Sequence, residues 1–222
     1  MKVILSLGGS LIVPEAVDEN FLIKLKSFLK ELLSKGHKIG IICGGGSTAR
    51  KYTNSNLELS PIQKDNLGIS ATRLNALLVS YVLSDLKADK IFTNTSIMAK
   101  AFGKKIVISG GTVPGHTTDY IAGELAKKVK ADAVINLTNV DGVYDKDPRK
   151  FTDAEKFEKM TWKEFFDFFK IEFNPGMNFA FDPVAAKLCQ KNKIKVIIMK
   201  GTDFDNLKNF FDGKKFIGTI LE

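Results

Sequence analysis

The chain has 222 residues, of which 44% are hydrophobic and 26% are charged, and its formal net charge is +8. These values are typical of a globular protein and exclude a disordered chain. The apolar runs reach only strand length, and residues 1–10 enter a strand pattern without a cleavage site, so we expect neither a membrane span nor a signal peptide. Cys43 and Cys189 lie in apolar stretches, which favours buried free thiols and a cytoplasmic protein.

The excess of positive charge is spread along the chain rather than clustered. Lysines alternate with acidic residues on predicted helix faces, as in residues 24–35, so we expect no nucleic-acid or membrane partner. The chain has only three arginines, and each follows a glycine-rich or turn-rich stretch: Arg50, Arg73 and Arg149. Because arginine binds anions through two parallel N–H donors, these positions favour anion recognition, with chance placement as the open alternative.

Strand and helix patterns alternate through the amino half. Apolar β-branched runs predict strands, and apolar residues at helical spacing predict helices. In chain order we predict a strand over 3–7 ending in Gly8-Gly9-Ser10, a helix over 21–33 closed by Gly36, a strand over 38–43 ending in Gly44-Gly45-Gly46, a long helix from Ser60-Pro61 towards Leu86, a short strand over 90–93, a small helix to Gly103, and a strand over 106–108 ending in Gly110-Gly111.

The same alternation continues through the carboxyl half. We predict a helix from the Thr117-Thr118-Asp119 cap to Val129, a strand over 131–137, a turn-rich loop over 138–149, a phenylalanine-rich core helix after a Thr161–Glu164 capping box, an irregular loop over 174–181, a helix over 185–191 capped by Asp182, a strand over 194–199, a helix over 203–211, and a strand over 215–221 interrupted by Gly218. This order predicts a three-layer α/β/α sandwich with a mostly parallel sheet, forming one domain over residues 1–222.

Three predicted strands end in a glycine pair or triplet. In open α/β sheets the ligand lies beyond the carboxyl ends of the strands, so these three loops can line one cleft and present bare backbone to a polyphosphate. The stretch Gly44–Ala49 also fits a dinucleotide fingerprint, but the acid expected at the end of the next strand, Asp65, falls inside a predicted helix. No P-loop motif is present.

Acid–base groups are scarce near these glycines. His37 lies at a predicted helix–strand junction, and His116 has no cysteine or second histidine nearby with which to build a nucleophile triad or a metal site. Backbone donors, hydroxyls and a few cations suit phosphoryl transfer, which depends on positioning and charge stabilisation. A phosphate or carboxylate acceptor needs no general base, because it is already ionised at neutral pH.

Six motifs follow one another along the chain. They are Leu7-Gly8-Gly9-Ser10, Gly44-Gly45-Gly46 with Arg50-Lys51-Tyr52, Asp65–Ile69 with Thr72–Ala76, Gly110-Gly111-Thr112 with Pro114–Asp119, Thr138–Tyr144 with Asp147-Pro148, and Asp182-Pro183 with Ala185-Ala186-Lys187. In this order they resemble the amino acid kinase superfamily and, within it, the archaeal type of uridylate kinase (UMP kinase). The resemblance covers essentially the whole chain.

The resemblance implies transfer of the γ-phosphoryl group of Mg-ATP to UMP, usually in a homohexamer, with magnesium carried by the nucleotide; we assign no residue as a metal ligand. It implies a UMP site in the amino half and an ATP site in the carboxyl half. By position, UMP would be held by Gly45, Asp65, Thr112, Val113, Pro114, Gly115, His116, Thr117 and Thr118. ATP would be held by Gly9, Ser10, Gly46, Arg50, Thr138, Tyr144 and Asp147.

The sequence departs from the superfamily pattern in the first strand. Many members carry a lysine there that neutralises transferred charge, whereas this chain has Ser6-Leu7, so we predict that Arg50 or Lys187 supplies the catalytic cation. Val113 and Ser47 replace a common histidine and lysine, and the loop 176–181 lacks the expected serines. Two alternatives stay open: a kinase for a carboxylate or carbamate, and a nucleotide- or oxyanion-binding protein without turnover.

Overall fold

A computed structural model describes residues 1–148, 150–171 and 180–222 of the chain. The amino half contains β1 (Lys2–Leu7), α1 (Gly9–Ile12), α2 (Glu19–Ser34), β2 (Lys38–Cys43), α3 (Gly46–Thr53), α4 (Pro61–Val82), α5 (Thr95–Ala101), β3 (Val107–Ser109) and α6 (Thr118–Val129). The carboxyl half contains β4 (Ala133–Thr138), β5 (Val143–Tyr144), β6 (Lys156–Phe157), β7 (Lys159–Met160), α7 (Trp162–Ile171), α8 (Pro183–Lys191), β8 (Lys195–Lys200), α9 (Phe204–Phe211) and β9 (Thr219–Leu221).

The central sheet has the strand order β3-β2-β1-β4-β8-β9-β7. All neighbouring strands are parallel except β8 and β9, which run antiparallel. The strands β5 and β6 form a separate antiparallel ribbon. Parallel strands need crossover connections, and the intervening helices supply them. The mostly parallel sheet predicted from the sequence is therefore confirmed.

Helices cover both faces of this sheet. The side chains of β1 alternate between the two cores, because successive side chains of a strand point to opposite faces of the sheet. Val3, Leu5 and Leu7 pack in the core that α2, α4 and α9 close, whereas Ile4 packs in the core that α6 and α8 close. Both cysteines are free and buried in these cores. The result is the predicted α/β/α sandwich.

Side-chain caps begin the helices where the sequence predicted them. The Ser60 hydroxyl accepts the backbone N–H of Gln63, and the Gln63 side chain accepts that of Ser60. Thr117, Thr161 and Asp182 cap α6, α7 and α8 in the same manner. These bonds satisfy N–H groups that lack a partner in the first helical turn. None of the described helices is both long and apolar enough to cross a membrane.

Two predicted strands differ from the structure. Residues 90–93 form only an isolated bridge, between Phe92 and Ser109, so no strand forms there. The last strand is limited to β9, because the backbone N–H and carbonyl of Ile217 bond to the Asn206 side chain instead of to a neighbouring strand. Most of the predicted loop over 174–181, and Arg149, lie outside the described residues.

Candidate functional site

The three glycine-terminated strands lie side by side with their carboxyl ends at one edge of the sheet. In the register of the ladders, Leu7 at the end of β1 pairs with Cys43 at the end of β2, and Ile42 pairs with Ser109 at the end of β3. The glycines that follow these residues therefore share one edge. This arrangement confirms the predicted adjacency of the three loops.

The first two glycine loops contact each other through bare backbone. A Cβ added at Gly9 would overlap the backbone nitrogen of Gly46, and one added at Gly46 would overlap that of Ser10. Gly46 also has a φ of +56°, which disfavours any residue with a side chain. Gly45, at the N-cap of α3, faces the Ala49 side chain at similarly close range. This close packing of the loops therefore explains why glycine is required at these predicted binding positions.

Helix α4 fixes both the second and the third glycine loops. The Asn75 amide donates to the carbonyl oxygen of Gly44 at 2.8 Å. Three residues earlier, the Thr72 hydroxyl accepts the Gly111 N–H at 2.7 Å. The Arg73 guanidinium donates to the carbonyl oxygens of Gly111 at 3.0 Å and Thr112 at 2.8 Å. These loops are consequently held by one rigid helix.

The role of Arg73 differs from the anion recognition expected of it. Its planar fork matches two successive carbonyl oxygens, so the guanidinium positions a loop. The sequence marked the arginine as unusual, but it contained no signal that a backbone segment would be its partner. Thr72 and Asn75 were likewise not predicted as contributors to the site.

The predicted UMP residues come together around the loop between β3 and α6. The Asp65 carboxylate, exposed on α4, accepts the backbone N–H of Gly115 at 2.7 Å, and Gly115 has a φ of +84°. Most of residues 112–118 are exposed, including Val113 and Pro114. The His116 ring stacks on Tyr120 with centroids 4.1 Å apart. Thr117 caps α6, and Thr118 begins it.

A half-buried carboxylate joins β1, α6 and α8 beneath the glycine tips. The Asp119 carboxylate accepts the Ser6 hydroxyl at 2.7 Å and the backbone N–H of Asp182 at 3.2 Å. Burial raises the pKa of Asp119 to about 6, and these two hydrogen bonds offset only part of that rise. The sequence indicates Asp119 only as part of a helix cap and of a family motif, and it contains no signal for this connection.

The carboxyl half contributes a cavity of about 440 Å³ beyond β4 and β8. Tyr144 lines it, and Thr138 and Asp147 adjoin two other lining residues, Asn139 and Pro148. The Tyr144 hydroxyl donates to Asp141 at 2.8 Å, while Lys156 contacts the other oxygen of Asp141 at 3.2 Å. Burial and the Asp141 carboxylate raise the pKa of Tyr144 to about 12, so this hydroxyl stays a donor at neutral pH.

The first glycine tip contacts the end of β4, the strand that leads into this cavity at Asn139. The Gly8 N–H donates to the carbonyl oxygen of Leu137 at 2.9 Å, and a Cβ added at Gly8 would lie 3.8 Å from the Thr138 Cα. The predicted phosphate loops and the predicted adenosine residues therefore follow one another along the sheet edge.

The two predicted catalytic cations lie on different helices. Arg50 is exposed in α3, the helix that begins at Gly46. Lys187 is exposed in α8, whose cap Asp182 contacts Asp119. Within the described residues neither side chain has a hydrogen-bond or ion-pair partner. The described part of the chain holds no cluster of three or more histidine, cysteine or acidic side chains that could bind a metal ion.

Residues 1–200 match the model of the amino acid kinase family. The chain is 39% identical over 227 residues to the uridylate kinase of Methanocaldococcus jannaschii, covering all of both proteins, and 39% identical to that of Sulfurisphaera tokodaii, covering 100% and 99%. Its fold is similar to the crystal structure of uridylate kinase from Archaeoglobus fulgidus, with a TM-score of 0.85, 33% identity and full coverage of both chains. The UMP kinase of Bacillus anthracis, 18% identical with a TM-score of 0.83 over 100% and 95% of the chains, shares the fold. The chain therefore belongs to the amino acid kinase family.

Proposed function

We propose that this chain is a uridylate kinase, which transfers the γ-phosphoryl group of ATP to UMP and produces UDP and ADP for pyrimidine nucleotide synthesis. The row of adjacent glycine tips at one sheet edge carries this proposal, because it offers backbone donors to several phosphate groups in line. Full-length similarity to curated uridylate kinases supports UMP as the acceptor.

The UMP site lies in the amino half, between α4 and the loop of residues 112–118. Asp65 reaches this loop at Gly115, so its carboxylate is placed to accept hydrogen bonds from ribose hydroxyls. Gly45 and Thr112–Thr118 supply backbone donors and hydroxyls for the UMP phosphate. The anchoring of Gly111 and Thr112 by α4 supports this assignment, because a preorganised loop loses less entropy on binding.

The ATP site extends from the interlocked loops into the carboxyl-half cavity. Gly9, Ser10, Gly46 and Arg50 face the phosphates, while Thr138, Tyr144 and Asp147 surround the adenosine. Mg²⁺ would be held mainly by the phosphate oxygens of ATP, where it neutralises charge.

Phosphoryl transfer in this site depends on the alignment of the two nucleotides and on stabilisation of the charge on their phosphate oxygens. The phosphate of UMP has a second pKa of about 6, so at neutral pH it attacks without a general base. Backbone N–H groups at the glycine tips stabilise charge on the equatorial oxygens, and Arg50 or Lys187 adds a cation. Together these groups align the two nucleotides for in-line transfer.

A coupled assay of ADP release tests the proposal with UMP, CMP, N-acetylglutamate, aspartate and carbamate as acceptors. We expect turnover with UMP and none with the carboxylates or carbamate. Turnover with a carboxylate or carbamate alone would reassign the acceptor. ATP binding without turnover on any of these acceptors would favour a non-catalytic nucleotide-binding protein.

We also propose a cytoplasmic homohexamer. Leu74 and Tyr81 on the outer face of α4 are 61% and 68% exposed, which supports a subunit contact there. The buried free thiols are consistent with a reducing compartment. Light scattering coupled to size exclusion measures the assembly, and a monomeric mass at micromolar concentration would contradict it.

A further inference from the structure

The tip of β8 extends the row of strand ends by one strand beyond β4. Lys200, its last residue, pairs with Thr138 in the parallel ladder. The next residue, Gly201, donates its N–H to the Thr138 carbonyl oxygen at 2.8 Å, and a Cβ added there would overlap the Leu11 side chain of α1. The backbone at Lys200 is therefore fixed against both the predicted adenosine loop and the helix that follows the first glycine tip.

Lys200 is exposed, although the four residues before it in β8 are buried. It lines the cavity of about 440 Å³ that also contains Asn139, Asp141 and Tyr144. Of the residues that line this cavity in the described part of the chain, Lys200 is the only cation. An exposed lysine at the wall of this cavity is available to an anion.

The acidic residues of this cavity already have other partners. Asp141 binds the Tyr144 hydroxyl and the Lys156 ammonium group. Asp203 caps α9 by accepting the Asn206 N–H at 3.0 Å. Lys200 forms no ion pair with either carboxylate, nor with any other described residue. Its charge is therefore not neutralised within the described protein.

We propose that Lys200 binds the α- and β-phosphates of the nucleotide in this cavity. This inference rests on the proposed function for the identity of the nucleotide. Adjacent strands lie about 4.8 Å apart, so the tip of β8 is roughly 10 Å from that of β1, where the glycine loops interlock. That separation places Lys200 on the adenosine side of the phosphate chain, away from the group that is transferred.

Isothermal titration of ADP with Mg²⁺, in the absence of UMP, tests the proposal on the full chain. Lys200→Gln removes the charge, Lys200→Arg retains it, and Lys24→Gln removes a charge from the exposed face of α2 as a matched control. We expect Lys200→Gln to weaken ADP binding roughly tenfold or more, the size of a lost charge-assisted contact, and the other two variants to stay within about threefold of wild type.

Equal ADP affinity in Lys200→Gln and wild type would overturn the proposal, as would an equal loss in Lys24→Gln or a wild-type protein that does not bind ADP. Thermal unfolding of each variant checks that the fold is intact. Because the titration needs no turnover, a protein that binds ADP through Lys200 but does not phosphorylate UMP would contradict the proposed function alone.

Discussion

The candidate cleft is lined mainly by backbone in the amino half and mainly by side chains in the carboxyl half. In the amino half, glycine backbones interlock and α4 holds their carbonyl and N–H groups, as with Gly9 against Gly46 and Asn75 against Gly44. In the carboxyl half, the cavity wall consists of side chains such as Tyr144 and Asp141. The amino end is therefore specified by backbone geometry, which tolerates few substitutions, and the carboxyl end by side-chain chemistry.

The largest effect is expected from a methyl group added to the interlocked backbone of the amino half. Gly46→Ala should destabilise the fold by at least about 3 kcal/mol and abolish turnover, because the new Cβ meets the Ser10 backbone at a positive φ. Unfolding in urea and the ADP-release assay measure both effects.

Gly68→Ala provides the matched control in α4. Its added Cβ would have only the Thr53 side chain within reach, at 3.7 Å. We expect unchanged or slightly raised stability, because alanine is favoured over glycine in a helix by about 1 kcal/mol. If Gly46→Ala were as stable in urea as Gly68→Ala, the glycine loops would not depend on close backbone contact.

Charge removal should affect turnover without affecting the fold. We expect Arg50→Ala to lower kcat by two or more orders of magnitude at unchanged thermal stability, since the exposed guanidinium has no partner among the described residues that it could stabilise. Lys187→Ala, measured in parallel, identifies which cation assists transfer. A near-wild-type rate for Arg50→Ala would remove Arg50 from the catalytic residues.

The assignment of the two substrates to the two halves can be tested at Asp65. Asp65→Ala removes the acceptor that faces the loop at Gly115, so we expect the KM for UMP to rise about tenfold or more and that for ATP to change far less. Steady-state kinetics with each substrate varied in turn provide the measurement. The reverse pattern would mean that the UMP and ATP sites are exchanged.

The carboxylate beneath the glycine tips should make stability depend on pH. Burial raises the pKa of Asp119 from 3.8 to about 6, so the folded state binds the proton more tightly than the unfolded state does. Its contribution to stability is greatest below about pH 4 and is lost as pH rises through 6, by on the order of 2 kcal/mol.

Asp119→Asn should reduce this pH dependence, because the asparagine does not titrate. Urea unfolding of both proteins at several pH values between 4 and 7.5 measures the difference. The same slope in both proteins would assign the dependence to other groups.

The fold could be predicted largely from the sequence because its signals are local. Apolar periodicity and caps such as Ser60 and Asp182 predicted most of the helices and the strands of the parallel sheet, and glycine at three strand ends indicated the shared edge. The short strands β5, β6 and β7 were missed, because two-residue strands carry too little apolar pattern to be recognised. The contacts of Arg73 and Asp119 could not be predicted, since each partner is distant in the chain. The short last strand depends on Asn206 bonding to the backbone of Ile217, which has no sequence signature.

Because α4 contacts both the second and the third glycine loops, we expect the affinities for the two proposed substrates to depend on each other. The helix contacts Gly44 through Asn75 and Gly111 through Thr72, so a ligand that further restricts one of these loops should also restrict the other and spare the second ligand part of its entropy loss. Thermodynamic linkage requires this benefit to be reciprocal: UMP tightens ATP binding by the same factor by which ATP tightens UMP binding. Helix α4 would thus provide a structural basis for cooperative binding of the two substrates.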